Sequence, residues 1–354
     1  MKATIDKLLQ LVVKEKASDL HITAQHRPSI RIDEKIVPTE FDLLTPDDSR
    51  ALVYGLLNEG QQARFEKEWE LDMSFGVSEL GRFRVNVFLQ KGMVGAAIRA
   101  LPYKIFTFEE CGLPIKVVTE LSQKPKGLVL VTGATGSGKS TTLSSIVERI
   151  NNERPCHIVT VEDPIEFVYE SKSALIDQRE VDSDTHSFAQ ALRHVLRQDP
   201  NVILIGEMRD LETIEAALTI AETGHLVFAT LHTSDAAQTI NRIIDVFPAH
   251  QQQQVRTQLS FVLLGVLSQQ LLPRAQGQGR VLATEVLLAT AAVRSIIRDQ
   301  KIHQMYSVIQ TSQREGMRTM NQALYELYAN NLITYETALA RTTDADDLLR
   351  LFKK

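Results

Sequence analysis

The spacing of hydrophobic residues changes character after about the first hundred positions. Up to that point, short runs that alternate between apolar and polar residues are mixed with helical patterns. The runs that predict strands are 19–23, 29–33, 70–75, 82–88 and 94–100. A helix is predicted from Pro46, directly after Thr45. Because short turns separate the last three strands, we predict a small α+β domain over residues 1–100, with an antiparallel meander.

Prolines and glycines punctuate residues 101–126, which we interpret as a linker that contains one short helix at about 115–121. Over residues 127–354, apolar runs alternate with helical patterns. The strand candidates there are 127–133, 157–161, 201–206 and 226–231. Near-continuous apolar strands separated by helices indicate an α/β domain with a parallel sheet covered on both faces.

The region after Pro248 is predicted to be mostly helical, with one strand pair at 280–288. Its uncharged stretch at 257–273 contains serines and glutamines, whereas a membrane span needs about 20 mostly apolar residues. We therefore interpret residues 257–273 as a buried helix.

Composition and charge narrow the class of protein. Hydrophobic residues make up 44% and charged residues 23% of the 354 positions, a soluble globular mixture with room for two domains. The net charge of -5 argues against a nucleic-acid coat, and we expect no nucleic-acid partner. The two cysteines, Cys111 and Cys156, are too few for a four-cysteine zinc site. The N-terminus lacks a signal peptide's uninterrupted apolar core, so we expect a cytoplasmic protein.

A phosphate-binding loop is predicted where GATGSGKS stands between an apolar strand and an amphipathic helix. Glycines allow backbone N–H groups to approach phosphate oxygens, and the helix N-terminus adds a positive dipole end. Lys139 is placed to reach the β- and γ-phosphates and Ser140 to ligate Mg²⁺. The residues predicted to bind a nucleoside triphosphate are Gly133, Ala134, Thr135, Gly136, Ser137, Gly138, Lys139, Ser140 and Thr141.

Carboxylates follow two of the predicted parallel strands, at the ends where open sheets bind ligands. They are Glu162, Asp163, Glu166 and Glu207. Hydrolysis needs one carboxylate to hold or polarise water and others to organise Mg²⁺. We assign the catalytic base to Glu207; the alternative is a surface acid paired with Arg209, and the other three acids could form a solvated turn.

Two histidines flank a further strand. His232 follows the strand at 226–231, where it is a candidate γ-phosphate sensor or a structural hydrogen-bonding group. His225, just after Gly224, fits a structural role better.

The motifs together resemble those of secretion ATPases, in the same order. GATGSGKST, VEDPIEF (161–167), ILIGEMRD (203–210) and GHLVFATLHT (224–233) are similar to the Walker A, Asp-box, Walker B and His-box motifs. The segments ASDLHIT (17–23), ALRHVLRQDP (191–200), GEMRDLETI (206–214) and SDAAQTINRIIDVFP (234–248) resemble the pilus-retraction branch of that family. The resemblance covers essentially the whole chain.

The resemblance implies a RecA-like P-loop ATPase core, a smaller PAS-like N-terminal domain and a homo-hexameric ring. It further implies ATP-driven depolymerisation of type IV pili in twitching motility, together with an inner-membrane platform protein and the pilus machinery. The expected location is the cytoplasmic side of the inner membrane, at the pilus base. The family's roles around phosphates and metal are carried over to Glu162, Asp163, Glu166, Glu207, His225 and His232.

The resemblance also bears on whether the protein retracts pili or extends them. Extension and type II secretion ATPases usually carry a longer N-terminal region and a four-cysteine zinc insert, which this chain lacks, so retraction is favoured. Retraction ATPases carry a motif close to AIRNLIR, and this chain has AVRSIIR at Ala292, Val293, Arg294, Ser295, Ile296, Ile297 and Arg298. An ordinary amphipathic helix explains its apolar spacing equally well. The departures also leave room for a paralogue with an accessory role beside another retraction ATPase.

A basic strand face is a candidate for completing a neighbour's site. The period of two places Arg82 and Arg84 on one face and Phe83 and Val85 on the other. A hydrated outer face is the alternative. The resemblance favours a role in catalysis, because ring ATPases of the secretion ATPase family bring N-terminal arginines to the nucleotide. We nominate Arg82, Arg84 and Arg99. The remaining alternatives for the whole chain are an extension or secretion ATPase, a nucleic-acid motor and a non-catalytic nucleotide-binding regulator.

Overall fold

The computed structural model describes residues 2–32, 35–77, 80–101 and 104–353. The chain forms two compact units. The first consists of Met1–Lys104 with the short segment Pro164–Val168, and the second of Ile105–Asp163 and Tyr169–Lys354. No helix within the described ranges has the length and apolar composition needed to cross a membrane.

The strands are β1 (Asp19–Ile22), β2 (Ser29–Ile32), β3 (Lys35–Pro38), β4 (Glu70–Val77), β5 (Gly81–Gln90), β6 (Met93–Ala100), β7 (Gly127–Thr132), β8 (His157–Glu162), β9 (Leu175–Glu180), β10 (Val202–Ile205), β11 (Leu226–Leu231), β12 (Leu263–Pro273) and β13 (Arg280–Leu288). The helices are α1 (Ile5–Lys14), α2 (Pro46–Tyr54), α3 (Glu59–Glu68), α4 (Phe108–Cys111), α5 (Ile115–Ser122), α6 (Lys139–Glu153), α7 (Phe188–Val195), α8 (Leu211–Glu222), α9 (Ala236–Asp245), α10 (Gln252–Val262), α11 (Ala291–Arg298), α12 (Met305–Thr311), α13 (Met320–Ala329), α14 (Tyr335–Arg341) and α15 (Ala345–Phe352).

The first unit is an antiparallel sheet in the order β3-β2-β1-β6-β5-β4, with α1, α2 and α3. The predicted meander is present as β4, β5 and β6. On β5, Phe83, Val85 and Val87 are buried, as their alternation predicts. The helix α2 begins after Thr45, whose hydroxyl accepts from the Asp48 amide in a capping box.

Elements α3 and β3 were not expected from the pattern of hydrophobic residues. Helix α3 buries only Phe65, so it has no apolar stripe, although the capping box of Asn58 and Gln61 marks its start. Strand β3 is exposed at all four positions at the sheet edge, so no burial period identifies it.

The second unit is a seven-stranded sheet in the order β13-β12-β7-β11-β10-β8-β9. All neighbours are parallel except β13, which runs antiparallel to β12. The four predicted parallel strands are present as β7, β8, β10 and β11, and the predicted α/β class with a RecA-like core is confirmed. The proposed linker at 101–126 includes α4 and α5, which belong to this unit.

The prediction of a buried helix at 257–273 is wrong beyond Val262. There the chain enters β12, which lies between β7 and β13 and is buried along most of its length. A strand flanked on both sides reads as a continuous apolar run, and periodicity alone does not separate such a strand from a buried helix. The strand predicted at 280–288 is β13, and its partner is β12.

Candidate active site

The loop from Gly133 to Gly138 has a left-handed backbone that favours glycine at three positions. Gly133, Gly136 and Gly138 have φ angles of +141°, +78° and +90°. A Cβ atom on Gly133 would lie 2.5 Å from the Gln269 carbonyl oxygen and 2.5 Å from Ser137 Oγ. The loop therefore packs closely on β12 and leads directly into the N-terminus of α6, where backbone N–H groups are unpaired.

Polar groups of this loop fit a phosphate ligand. Lys139 Nζ donates to the carbonyl oxygens of Gly133 and Ala134, at 2.8 Å and 3.1 Å, so the ammonium group lies over the loop. The buried hydroxyl of Ser137 has no hydrogen-bond partner within the part of the chain that the structure describes. Ser140 occupies the second position of α6 and is half-buried. A cradle of glycines, a cation and a helix N-terminus together form an anion site.

Strand order brings three further groups to the same edge of the sheet. β7, β11, β10 and β8 are consecutive and parallel, so the residues that follow them lie side by side. The loop at Gly133, His232 and Glu207 follow β7, β11 and β10 in that order, and Glu162 is the last residue of β8. Backbone bonds fix the turn after β10, where Gly206 N donates to Val161 O and Met208 N donates to Thr230 O.

Glu207 is held by two neighbours and is mostly buried. Its Oε2 accepts from Arg209 Nη2 at 2.7 Å, and its Oε1 lies 3.2 Å from His232 Nε2. Burial raises the pKa of Glu207, but the Arg209 hydrogen bond and the charges of His232, Arg209 and Lys139 outweigh burial and leave the pKa below its usual value. The carboxyl group is therefore ionised at neutral pH. The Arg209 pair, which the sequence offered as an alternative to catalysis, coexists with placement beside the loop.

The other acidic residues have different surroundings. Glu162 is buried, and its Oε1 accepts from Thr160 Oγ1 at 2.7 Å. Asp163 is exposed, and its charge acts on Arg209. Glu166 falls in the short segment that groups with the first unit. Glu162 and Asp163 therefore reach the sheet edge of Glu207 within the second unit.

His225 lies at the opposite end of β11 from His232. It precedes the strand, and its Nδ1 is 3.2 Å from Ile220 O. A six-residue strand separates the two histidines by about 20 Å. The structure therefore does not bring His225 to the loop of its own chain, and its contacts are those of a structural residue.

The three nominated arginines lie on the exposed face of the first unit's sheet. Arg84 is directly opposite Arg99, and Arg99 is directly opposite Asp19. Arg99 Nε donates to Asp19 Oδ1 at 2.8 Å, and Arg82 Nη2 donates to Ser74 Oγ at 2.6 Å. Among the residues that the structure describes, the Arg84 side chain has no hydrogen bond or ion pair. Among the three nominated arginines, Arg84 is thus the one whose guanidinium group can contact another molecule without breaking an existing bond.

The segment Ala292–Arg298 lies in α11, and its apolar face is structural. Val293, Ile296 and Ile297 are buried in the core of the second unit. Arg294 donates to the carbonyl oxygens of Phe261 at 2.8 Å, Leu263 at 3.1 Å and Ala289 at 3.0 Å, and also to that of Ser260. Arg294 thereby caps the C-terminus of α10, where carbonyl groups lack helical partners.

Sequence reasoning missed two buried polar residues in the strands on one side of β7, Gln269 on β12 and Glu285 on β13. Gln269 Nε2 donates to Thr142 Oγ1 of α6 at 2.7 Å. Each is a polar residue within an apolar strand, 1% and 3% exposed respectively. Buried polar groups need specific partners, so that interruption of the apolar run is the signal that could have found them.

A parallel sheet with a glycine-rich phosphate loop after one central strand and a glutamate after another defines a P-loop ATPase of the RecA-like fold. The chain belongs to the type II/IV secretion system protein family, whose model matches residues 114–336. It is 50% identical to the type IV pilus retraction ATPase PilT of Pseudomonas aeruginosa, over 94% of this chain and 96% of the relative.

Two further comparisons agree with this assignment. The chain is 41% identical to the type IV pilus ATPase PilU of Pseudomonas aeruginosa, over 98% of this chain and 91% of the relative. A crystal structure of the pilus retraction motor PilT with bound ADP matches with a TM-score of 0.93 and 49% identity, covering 99% of this chain and 100% of that one. The membership expected from the motifs is confirmed.

Proposed function

We propose that this protein is a Mg²⁺-dependent ATPase that powers retraction of type IV pili, by depolymerising them, and thereby twitching motility. The observation that carries the proposal is 50% identity to a type IV pilus retraction ATPase over nearly the full length of both chains. An intact phosphate loop and an ionised Glu207 beside it support catalysis rather than nucleotide binding alone.

The proposed hydrolysis divides roles among the residues at the sheet edge. The loop amides and Lys139 bind the phosphates. Ser140 would hold Mg²⁺, which when bound would neutralise charge on the phosphates. Glu207 orients and polarises the attacking water. Each carboxylate oxygen has two acceptor positions, so Glu207 can hold a water while Arg209 and His232 keep its orientation. Because its pKa is low, its main contribution is positioning and electrostatic.

Glu162, Asp163 and Glu166 are proposed to organise the metal and the water. Glu162 is the last residue of β8 and Asp163 follows it, and β8 is the neighbour of β10, the strand that Glu207 follows, which supports that role. His232 is proposed to sense the γ-phosphate through its contact with Glu207. The proposed role of His225 at the nucleotide has no support within one chain, and only a neighbouring subunit could use it.

A homo-hexameric ring would allow a neighbouring subunit to supply an arginine to the phosphates. Arginine from a neighbouring domain or subunit can raise phosphoryl-transfer rates by about 10³–10⁵. We propose Arg84 for that role, with Arg82 and Arg99 beside it, and rigid-body domain motion with a hinge within residues 101–126. The ring would act on an inner-membrane platform protein at the cytoplasmic base of the pilus, alone or beside a paralogous retraction ATPase.

Imaging pili on cells that lack the gene tests the direction of transport. Excess fibres that do not retract, with lost twitching, are the expected result. A plasmid copy of the wild-type gene should restore retraction and twitching, whereas a copy that carries Glu207→Gln should not. Bald cells would contradict retraction and favour the extension or secretion alternative. ATPase activity that depends on added DNA would favour a nucleic-acid motor.

A further inference from the structure

Glu285 is a buried carboxyl group that none of the roles above uses. It lies in β13 and is 3% exposed. Removing a carboxylate from water is costly unless hydrogen bonds replace the lost hydration. Its partners therefore indicate why an acidic side chain occupies this position.

Two helices direct backbone donors at this one side chain. Glu285 Oε1 accepts from Ala236 N at 2.9 Å, and Oε2 accepts from Met320 N at 3.2 Å. Ala236 is the first residue of α9, and Met320 is the first residue of α13. Unpaired N–H groups and the positive dipole end of each helix thus meet one carboxyl group.

The α9 contact lies close in the chain to the catalytic edge. Only four residues, 232–235, connect β11 to α9, and the first of them is His232, which contacts Glu207. The hydroxyl groups of Thr233 and Thr239 are 2.7 Å apart and tie this connection to α9 as well. Because the connection is short, a shift of the first turn of α9 displaces His232.

The sheet links the same carboxylate to the phosphate loop. Glu285 is directly opposite Ser268 on β12, and Ser268 is directly opposite Thr132 on β7. Thr132 Oγ1 donates to Ser268 Oγ at 2.9 Å, and all three side chains are buried. Thr132 is the residue before Gly133. Glu285 therefore occupies a buried row that begins at the loop.

We propose that Glu285 is a positioning residue for ATP hydrolysis. It fixes the N-terminus of α9 so that His232 stays against Glu207, and it ties that connection to α13 among the C-terminal helices. The inference rests on the proposed ATPase function and deepens it. Glu285 acts through His232 and does not contact the nucleotide.

Glu285→Gln is the informative substitution, because an amide offers one acceptor oxygen where two N–H donors need acceptors. We expect kcat for phosphate release to fall about 10-fold, while the Kd of a fluorescent ADP analogue changes less than about 2-fold. Glu285→Asp, which keeps both oxygens on a shorter side chain, should recover part of kcat. Glu326→Gln is the matched control: this exposed acid on α13 pairs with Arg318 and should leave kcat unchanged.

A double-mutant cycle separates positioning from a general loss of structure. In a His232→Ala background, Glu285→Gln should lower kcat less than about 2-fold, because the His232 side chain through which Glu285 acts on Glu207 is already absent. Effects that multiply, an unchanged kcat, or an equal loss of nucleotide affinity would overturn the inference. If the Gln variant does not fold, Glu285→Asp carries the same cycle. A wild-type chain that releases no phosphate would overturn the proposed function as well, whereas an active wild type with multiplying effects would overturn this inference alone.

Discussion

Nε2 of His232 lies 3.2 Å from Oε1 of Glu207. Twenty-five positions separate these residues in the chain, and they meet because β10 and β11 are parallel neighbours. With Arg209 on the other oxygen, the carboxylate has a fixed direction at the edge of the phosphate loop. That arrangement leads to the first prediction.

Glu207→Gln should bind ATP but hydrolyse it at least about 100-fold more slowly, because an amide orients water less strongly than a carboxylate. Phosphate release and equilibrium nucleotide binding measure the two effects separately. Glu212→Gln is the control, since Glu212 is an exposed acid that pairs with Arg193. Undiminished phosphate release by the Glu207 variant would refute its role.

Arg84→Ala should reduce kcat at least about 10-fold while nucleotide affinity stays within about 2-fold, because a supplied arginine acts on transition-state charge. Turnover should be measured on assembled rings, verified by size. Arg64→Ala, which removes an exposed arginine paired with Glu68 on α3, should have no effect. Normal turnover of Arg84→Ala rings would remove this residue from the site.

Arg294→Ala should lower the free energy of unfolding of the second unit by about 2–4 kcal/mol. The substitution removes the charged hydrogen-bond donor from several carbonyl groups at the end of α10. Thermal unfolding should show a Tm lower by about 4–10 °C. Arg298→Ala should keep the wild-type Tm, since the positive charge of Arg298 repels that of Arg294 and does not stabilise it. A stable Arg298 variant that fails to retract pili would assign α11 a role beyond packing; equal Tm values for wild type and Arg294→Ala would contradict the capping role.

Stability should depend on pH through Glu285. Burial and the charge of Asp235 raise the pKa of this carboxyl group, the two backbone N–H donors lower it, and the net result is a rise from 4.5 to about 7. Between those values the folded chain holds a proton that the unfolded chain has released, so this site loses stability as pH rises from about 4.5 to about 7.

Thermal unfolding of wild type and Glu285→Gln across that range measures the effect. The Gln variant lacks this titration, so the amount by which the wild-type Tm exceeds the variant's Tm should shrink as pH rises. A difference that is constant, or that grows with pH, would contradict the raised pKa.

The sequence by itself determined the phosphate loop and the parallel core. The loop is a local structure, because the glycines, Lys139 and the start of α6 are contiguous and impose their geometry on adjacent backbone. Strands β7, β8, β10 and β11 were predictable because strands buried on both faces have continuous apolar runs. The candidates at their ends followed from that prediction.

Only the tertiary structure decided which candidates meet. Strand order places His232 against Glu207 and puts His225 at the far end of the same strand. It also makes residues 263–273 a strand, since burial between β7 and β13 removes the period that would distinguish strand from helix. Glu285 meets α9 and α13 through contacts 49 and 35 positions away. Local pattern records which residues are apolar or charged, whereas non-local strand pairing decides which of them become neighbours.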